Sequence, residues 1–174
     1  TSAEGSQFTL LTPQGEVAIT LPLPGRHNVL NAIAAASLAL ACGVSLSTIA
    51  EGLAAVQPVP GRQIARDLGN GVVLVDDSYN ANPASLDAAM DALVAAAGES
   101  WLVLGDMREL GEQGAELHAQ AGRRAKASGI ARLYALGELS AMAAAAFGEG
   151  ARVFDSHAAL ADALRIDLQE YAGT

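Results

Sequence analysis

Hydrophobic and polar residues alternate in two short runs near the start of the chain. The runs cover residues 7–11 and 16–21, and Pro13-Gln14-Gly15 lies between them. Alternation with a period of two is typical of strands that are buried on one face, and proline and glycine favour a turn. The pattern therefore predicts a β-hairpin.

From His27 the apolar spacing changes to that of a helix, which Gly43 ends. The face predicted to be buried carries Leu30, Ile33, Ala34, Leu38 and Ala41. A second helix is predicted over residues 47–55, with Ile49, Leu53 and Val56 facing inward. Cys42 lies in the alanine-rich pattern and is predicted to be a small core residue.

A segment without periodicity follows, in which two prolines and a glycine lie within residues 56–61. Proline fixes the backbone and removes an amide donor, so such a segment suits a linker. We therefore predict one domain over residues 1–57 and a second over residues 58–174, with a hinge at 57–61.

The second domain alternates between apolar strands and helices. Strands are predicted at 72–75, 101–104, 132–136 and 151–154, and helices at 83–97, 112–127, 139–147 and 157–170. Asn82 and Pro83 suit the start of the first of these helices, whose inner stripe is predicted to be Leu86, Met90, Leu93 and Val94. This order predicts an α/β fold with a mostly parallel sheet, flanking helices and right-handed crossovers. Residues 62–67 could add an antiparallel edge strand.

The composition of the chain argues against several classes of function. The net charge is −9, the pI is about 4.6 and aromatic residues make up 4% of the chain. Nucleic-acid binding needs clustered positive charge, so we expect no nucleic-acid partner. No apolar run is long enough to span a bilayer and no signal peptide is evident, which favours a cytoplasmic protein without a membrane partner. A single cysteine excludes an internal disulfide and a cysteine zinc site.

Acidic residues follow the predicted strands, where ligands bind in open α/β sheets. Asp76 and Asp77 end one strand, and Asp106 and Glu109 follow the next. Asp76 and Asp77 could bind magnesium or ribose hydroxyls, or they could be solvated residues of a turn that caps the next helix. Asp106 and Glu109 could contact a ligand or could belong to the entry of a helix. His118, inside an alanine-rich helix, is interpreted as surface or core filler.

Asn28 and Asn31 share one face of the first helix, beside His27. Free amides at a helix start bind anions or polar ligands, and side-chain amides at this spacing could contact an adenine edge. The chain has one lysine, Lys126, and no glycine-rich phosphate loop or metal spacing of histidines. We therefore predict no catalytic residue and no metal ligand in this chain.

Four segments resemble the Mur ligases. Residues 23–32, Leu-Pro-Gly-Arg-His-Asn-Val-Leu-Asn-Ala, resemble the end of their central ATPase domain, and residues 60–62, Pro-Gly-Arg, the start of their C-terminal domain. Residues 76–83, Asp-Asp-Ser-Tyr-Asn-Ala-Asn-Pro, followed by residues 104–111, Leu-Gly-Asp-Met-Arg-Glu-Leu-Gly, resemble the family member that adds a D-alanyl-D-alanine dipeptide.

The resemblance implies a peptide ligase of peptidoglycan synthesis. It would use ATP and Mg²⁺ to join D-Ala-D-Ala to UDP-N-acetylmuramoyl-tripeptide, supporting cell shape and division. The C-terminal domain would be Rossmann-like and close over the nucleotide. Asn28 and Asn31 would face the adenine, and Arg62 would reach the ribose or the phosphates. Asp77 would hold the ribose hydroxyls, with three neighbours beside it: Ser78, Tyr79 and Asn82. Asp106 and Glu109 would line the substrate cleft.

The chain departs from the family pattern, because the substrate domain, the phosphate loop and the main magnesium ligands are absent from it. It begins with Thr1 and stops at Thr174, before the last strand of the family's C-terminal domain. These features predict a C-terminal fragment that is inactive alone. We expect the protein to be a monomer. The alternatives are another Mur or folylpolyglutamate-type ligase domain, or a non-catalytic nucleotide-binding module.

Overall fold

The computed structural model describes residues 5–172 and contains two compact units that divide between Arg62 and Gln63. The division falls a few residues after the predicted domain boundary at 57. Residues 1–4 and 173–174, which the two predicted domains include, lie outside the described range.

The first unit consists of a hairpin and two helices, as predicted. Strands β1 (Ser6–Thr12) and β2 (Gly15–Leu21) pair antiparallel, with Ser6 opposite Leu21. Helix α1 covers Arg26–Ala41, and α2 covers Leu46–Ala54 behind the N-cap Ser45. The buried core of this unit consists of Leu10, Ile19, Leu21, Ala32, Ala36 and Ile49.

The predicted buried face of α1 is wrong. Leu30 and Leu38 are exposed, by 56% and 72%, whereas Ala32 and Ala36 are buried. The methyl side chains of Ala32 and Ala36 pack in one cluster with Leu10, Ile19, Leu21 and Ile49, so the buried stripe of α1 is the alanine stripe. Cys42, predicted to lie in the core, is exposed because it is the C-cap residue of α1.

The second unit has a three-stranded parallel sheet, and its helices follow the predicted order. The strands are β5 (Trp101–Gly105), β6 (Arg132–Leu136) and β7 (Ala151–Phe154), in that spatial order. The helices are α3 (Pro83–Ala95), α4 (Gly114–Ala127), α5 (Ser140–Phe147) and α6 (His157–Ala172), with a 3-10 turn at Gly111–Gln113. This mixed α/β architecture confirms the predicted fold class.

The remaining two strands form a separate antiparallel hairpin, β3 (Ile64–Gly69) with β4 (Val72–Asp76). The strand predicted at 62–67 is present as β3 and pairs antiparallel, but it is not an edge of the parallel sheet, and the expectation that residues 72–75 join that sheet is also wrong. Gly69, Asn70 and Gly71 all have positive φ, so they form a tight turn that pairs β4 with β3. Val73 is consequently 61% exposed, although an uninterrupted apolar run is typical of a strand covered on both faces.

One face of the parallel sheet carries the main core. Leu104, Leu133 and Ala135 pack there with Leu86 and Met90 of α3. Leu93 packs against this core, but Val94, predicted to face inward, is 38% exposed. The core also contains residues of α4 and α5, namely Ala121, Ala125, Ala143, Ala144 and Phe147.

Helices α4 and α5 approach each other so closely that one position between them must be glycine. A Cβ atom built on Gly122 would overlap the backbone carbonyl of Ala143. Both residues are buried, so neither helix can move away without opening the core. The contact therefore fixes the distance between the two helices.

A buried carboxylate lies between α6 and the opposite face of the sheet. Asp167 accepts hydrogen bonds from the Tyr134 hydroxyl at 2.6 Å and from Arg152 Nη1 at 2.7 Å. Burial, together with the hydrogen bond to Asp167, raises the pKa of Tyr134 above its ordinary value. Tyr134 therefore remains a neutral hydrogen-bond donor at physiological pH.

Within residues 5–172, no helix combines the length and the apolar character that crossing a bilayer requires.

We expect Gly122→Ala to lower the free energy of unfolding of the second unit by about 1–3 kcal/mol, because the added methyl group overpacks the contact between α4 and α5. Urea unfolding followed by the fluorescence of Trp101, the chain's only tryptophan, measures this effect. Gly105→Ala is the matched control in the same unit, since Gly105 has no positive φ and a Cβ there would meet nothing within 4 Å. An unchanged transition in Gly122→Ala would contradict the packing argument.

Candidate functional site

The loops that follow the three parallel strands meet at one edge of the sheet. Gly105 is in register with Leu136, and Leu136 with Phe154, so the strands end at the same level. The loop after β5, residues 106–111, carries the predicted substrate residues Asp106 and Glu109. This edge is where open α/β sheets bind ligands.

Asp106 connects the end of β5 to the start of α5. Its Oδ1 atom accepts the Ser140 N–H at 2.7 Å, so the carboxylate caps the helix. Partial burial would raise the pKa of Asp106, but the amides at the start of α5, with Ser140 foremost, hold it below its ordinary value. Asp106, which was predicted to line the substrate cleft, therefore also has a structural role as the cap of α5.

Gly137, the residue after β6, makes this contact possible. It has φ of 119°, and a Cβ atom at this position would overlap the Asp106 carboxylate. Any side chain at Gly137 would therefore force the two loops apart.

Met107 fixes the same loop from its other side. Its side chain is 1% exposed, and its backbone N–H donates to His118 Nε2 at 2.9 Å. His118 is fully buried, so the interpretation of this residue as core is confirmed and the surface alternative is excluded. The contact to the loop was missed, because an isolated histidine in a helix gives no sign of its partner in the sequence.

Glu109 is one of the exposed residues of this loop. Its backbone has φ of 63°, in the left-handed region that residues other than glycine rarely adopt. Leu110, next in the chain, packs against the core. The Glu109 side chain is therefore presented to solvent from a backbone that is fixed on both sides.

The other predicted acidic pair follows β4 and thus belongs to the hairpin rather than to the parallel sheet. The Oδ1 atom of Asp76 accepts the Ser78 hydroxyl at 2.6 Å and the Ser78 N–H at 3.2 Å. These two bonds hold the pKa of Asp76 below its ordinary value. Asp77 is half-buried, and its Oδ1 accepts the Gln63 N–H at 3.2 Å.

The loop then leads into α3 through a capping box. Asn82 Oδ1 accepts the Ser85 N–H at 3.0 Å, and the Ser85 hydroxyl faces the Asn82 backbone, which confirms the predicted N-cap. Ala81 packs against the same core as Leu110. Tyr79 is 63% exposed, so its ring is accessible from solvent.

The predicted adenine contacts belong to the first unit. Asn28 donates from Nδ2 to the Pro24 carbonyl at 2.7 Å, and Asn31 is exposed. Gly25, with φ of 93°, is the N-cap of α1 and has no side chain to occupy the helix amides. Arg62 N–H donates to the Val59 carbonyl at 3.1 Å at the end of this unit.

An open groove of about 760 Å³ lies at the carboxyl ends of β6 and β7. Its apolar lining comes from the two strands and from α5, and its rim carries two acids and a histidine. The lining residues are Leu136, Gly137, Glu138, Ala141, Val153, Phe154, Asp155 and His157.

The described residues do not provide a complete set of side-chain ligands for a metal ion. Among residues 5–172, no three histidine, cysteine, aspartate or glutamate side chains lie close enough together to hold one. Asp76 already uses an oxygen in its turn with Ser78. We therefore assign no magnesium ligand to the described residues.

Comparison with known proteins gives consistent matches over most of the chain. Residues 61–172 match the family model described as Mur ligase, glutamate ligase domain. The UDP-N-acetylmuramoyl-tripeptide–D-alanyl-D-alanine ligase of Escherichia coli K12 is 45% identical over 157 residues, which cover 90% of this chain and 35% of that protein. The chain thus spans about a third of the length of this relative.

Solved structures agree in fold. MurF from Acinetobacter baumannii has a TM-score of 0.83 and 34% identity, and the match covers 97% of this chain and 37% of that one. MurF from Thermotoga maritima, solved in complex with ADP, has a TM-score of 0.74 and 23% identity over 94% of this chain and 38% of that one. The second likeness is one of fold alone.

We expect Asp106→Asn to lower the free energy of unfolding by about 1 kcal/mol at pH 7, because the helix cap loses its charge. The folded-state pKa of Asp106 is depressed, so its stabilisation is present above the ordinary carboxyl pKa of about 4 and is lost as the pH falls through the folded-state value. The difference between wild type and variant should therefore shrink below about pH 4. Urea unfolding at several pH values measures it, and a difference independent of pH would contradict the cap.

Proposed function

The chain belongs to the Mur ligase family, and on this basis we propose that it is the C-terminal part of a ligase that joins D-Ala-D-Ala to UDP-N-acetylmuramoyl-tripeptide. The observation that carries the proposal is the 45% identity to the Escherichia coli ligase of that name over 90% of the chain. The same match disfavours a folylpolyglutamate-type ligase. The reaction belongs to peptidoglycan synthesis, and we place the protein in the cytoplasm as a monomer.

The proposed chemistry is ATP-dependent amide formation. A carboxylate oxygen of the tripeptide attacks the terminal phosphorus of ATP, and ADP leaves. The dipeptide amine then attacks the resulting acyl phosphate, loses a proton, and displaces phosphate as the amide bond forms. Such a reaction depends mainly on positioning and on neutralising phosphate charge. Mg²⁺, when bound, would supply part of that neutralisation, held by parts of the complete ligase that lie outside this chain.

The proposed contribution of this chain is contact to the nucleoside and to the amine substrate. Asp77 would accept hydrogen bonds from the ribose hydroxyls, with Ser78, Tyr79 and Asn82 beside it. In the first unit, Asn28 and Asn31 would face the adenine and Arg62 would reach the ribose or the phosphates. The exposure of Tyr79 and Asn31 supports these assignments, since both side chains are accessible to a ligand.

The groove at β6 and β7 suits the small amine substrate. Its apolar lining can contact the methyl groups of the dipeptide, and Glu138 and Asp155 have the charge that attracts an ammonium group. We propose that Glu109 also contacts this substrate.

In the complete ligase, we expect Asp77→Ala to raise the KM for ATP about tenfold, a loss of about 1.4 kcal/mol. Asp77→Asn should raise it less, because an amide oxygen still accepts from ribose and from the Gln63 N–H but has lost the charge. Steady-state kinetics and thermal unfolding of both variants test this. A fall in melting temperature in Asp77→Ala with an unchanged KM for ATP would make Asp77 a structural residue only.

We expect the chain of residues 1–174 to form no amide product from ATP, UDP-N-acetylmuramoyl-tripeptide and D-Ala-D-Ala, because it contains no phosphate loop. Product analysis with the complete ligase as the positive control measures this. Turnover above the enzyme-free rate would contradict the proposal. Tight ATP binding by the chain without turnover would favour a nucleotide-binding module instead.

A further inference from the structure

His118 makes two hydrogen bonds that fix its protonation. A backbone N–H can only donate, so the Met107 N–H requires a lone pair on His118 Nε2, at 2.9 Å. The other ring nitrogen, Nδ1, lies 2.7 Å from the Gly114 carbonyl, which can only accept. The buried ring is therefore neutral and carries its proton on Nδ1.

The ring connects α4 to the loop that presents Glu109. Gly114 and His118 belong to α4, and Met107 lies two residues before Glu109. A left-handed conformation at a glutamate persists only where the surrounding structure enforces it. Here the enforcing contacts are the hydrogen bond from Met107 and the packing of Leu110, on the two sides of Glu109.

We propose that His118 is a positioning residue for the ligase reaction: through the Met107 backbone it holds Glu109 in the conformation that binds the amine substrate. The inference rests on the proposed function, because the amine substrate comes from it. His118 itself touches no substrate.

Two substitutions separate the hydrogen bond from the volume of the ring. His118→Phe keeps an aromatic ring in the core but leaves the Met107 N–H without an acceptor. His118→Gln retains an acceptor on a side chain of similar reach. Tyr134→Phe is the matched control, because it also removes a buried side-chain hydrogen bond in the second unit, the one to Asp167, on the face of the sheet away from this loop.

The kinetic test uses the complete ligase. We expect His118→Phe to lower kcat/KM for D-Ala-D-Ala at least tenfold with the KM for ATP within twofold of wild type, and His118→Gln to restore most of the loss. Tyr134→Phe should leave both parameters unchanged. If His118 acts through Glu109, adding His118→Phe to Glu109→Gln should cause little further loss. Additive losses, or equal losses for all three substrates, would overturn the proposal.

A second measurement does not depend on activity. In the chain of residues 1–174, nitrogen NMR should find the His118 ring protonated on Nδ1 alone, and amide exchange at Met107 should be at least tenfold faster in His118→Phe than in wild type or in Tyr134→Phe. A proton on Nε2, or unchanged exchange, would overturn the proposal even if the Phe variant of the ligase failed to fold. If amide exchange at Met107 is faster in His118→Phe but kcat/KM for D-Ala-D-Ala is unchanged, the link between His118 and the amine substrate is refuted.

Discussion

The arrangement of the candidate site depends on the Asp106 carboxylate. It reaches from the end of β5 to the first amides of α5, and Gly137 leaves just enough space for it. Because this contact lies between neighbouring strand ends, it fixes one loop relative to the next as well as the start of a helix. Gly137 lines the groove beyond β6, and the loop with Glu109 begins at Asp106. The positions of the groove and of this loop therefore both depend on the Asp106 carboxylate.

Much of the fold could be predicted from periodicity and capping signals. Strands β6 and β7 have the predicted bounds, and α3 begins at Pro83 behind its Asn82 cap, because these signals are local. The errors concern burial and pairing, which are not local. The alanine face of α1 is buried instead of the leucine face, and β4 pairs through its turn with β3. Neither outcome follows from the hydrophobicity of the segment itself.

For the candidate site, the sequence predicted which loops lie at the sheet edge but not which contacts hold those loops in place. Parallel strands place their carboxyl ends together, so Asp106 and Glu109 could be located at the sheet edge in advance. That Asp106 caps α5, and that His118 is the partner of the Met107 amide, depends on contacts between residues separated by 34 and 11 positions in the chain. Residue type and spacing carry no information about such pairs.

The buried carboxylate under α6 has a consequence for how that helix can dock. Asp167 is satisfied only when its oxygen faces both the Tyr134 hydroxyl and the Arg152 guanidinium. A slip of α6 by one turn, about 5.4 Å, would leave a desolvated charge without partners, which is far more costly than the same slip along an apolar stripe. Asp167 therefore stabilises one register of α6 against the sheet and disfavours registers that are shifted by a turn.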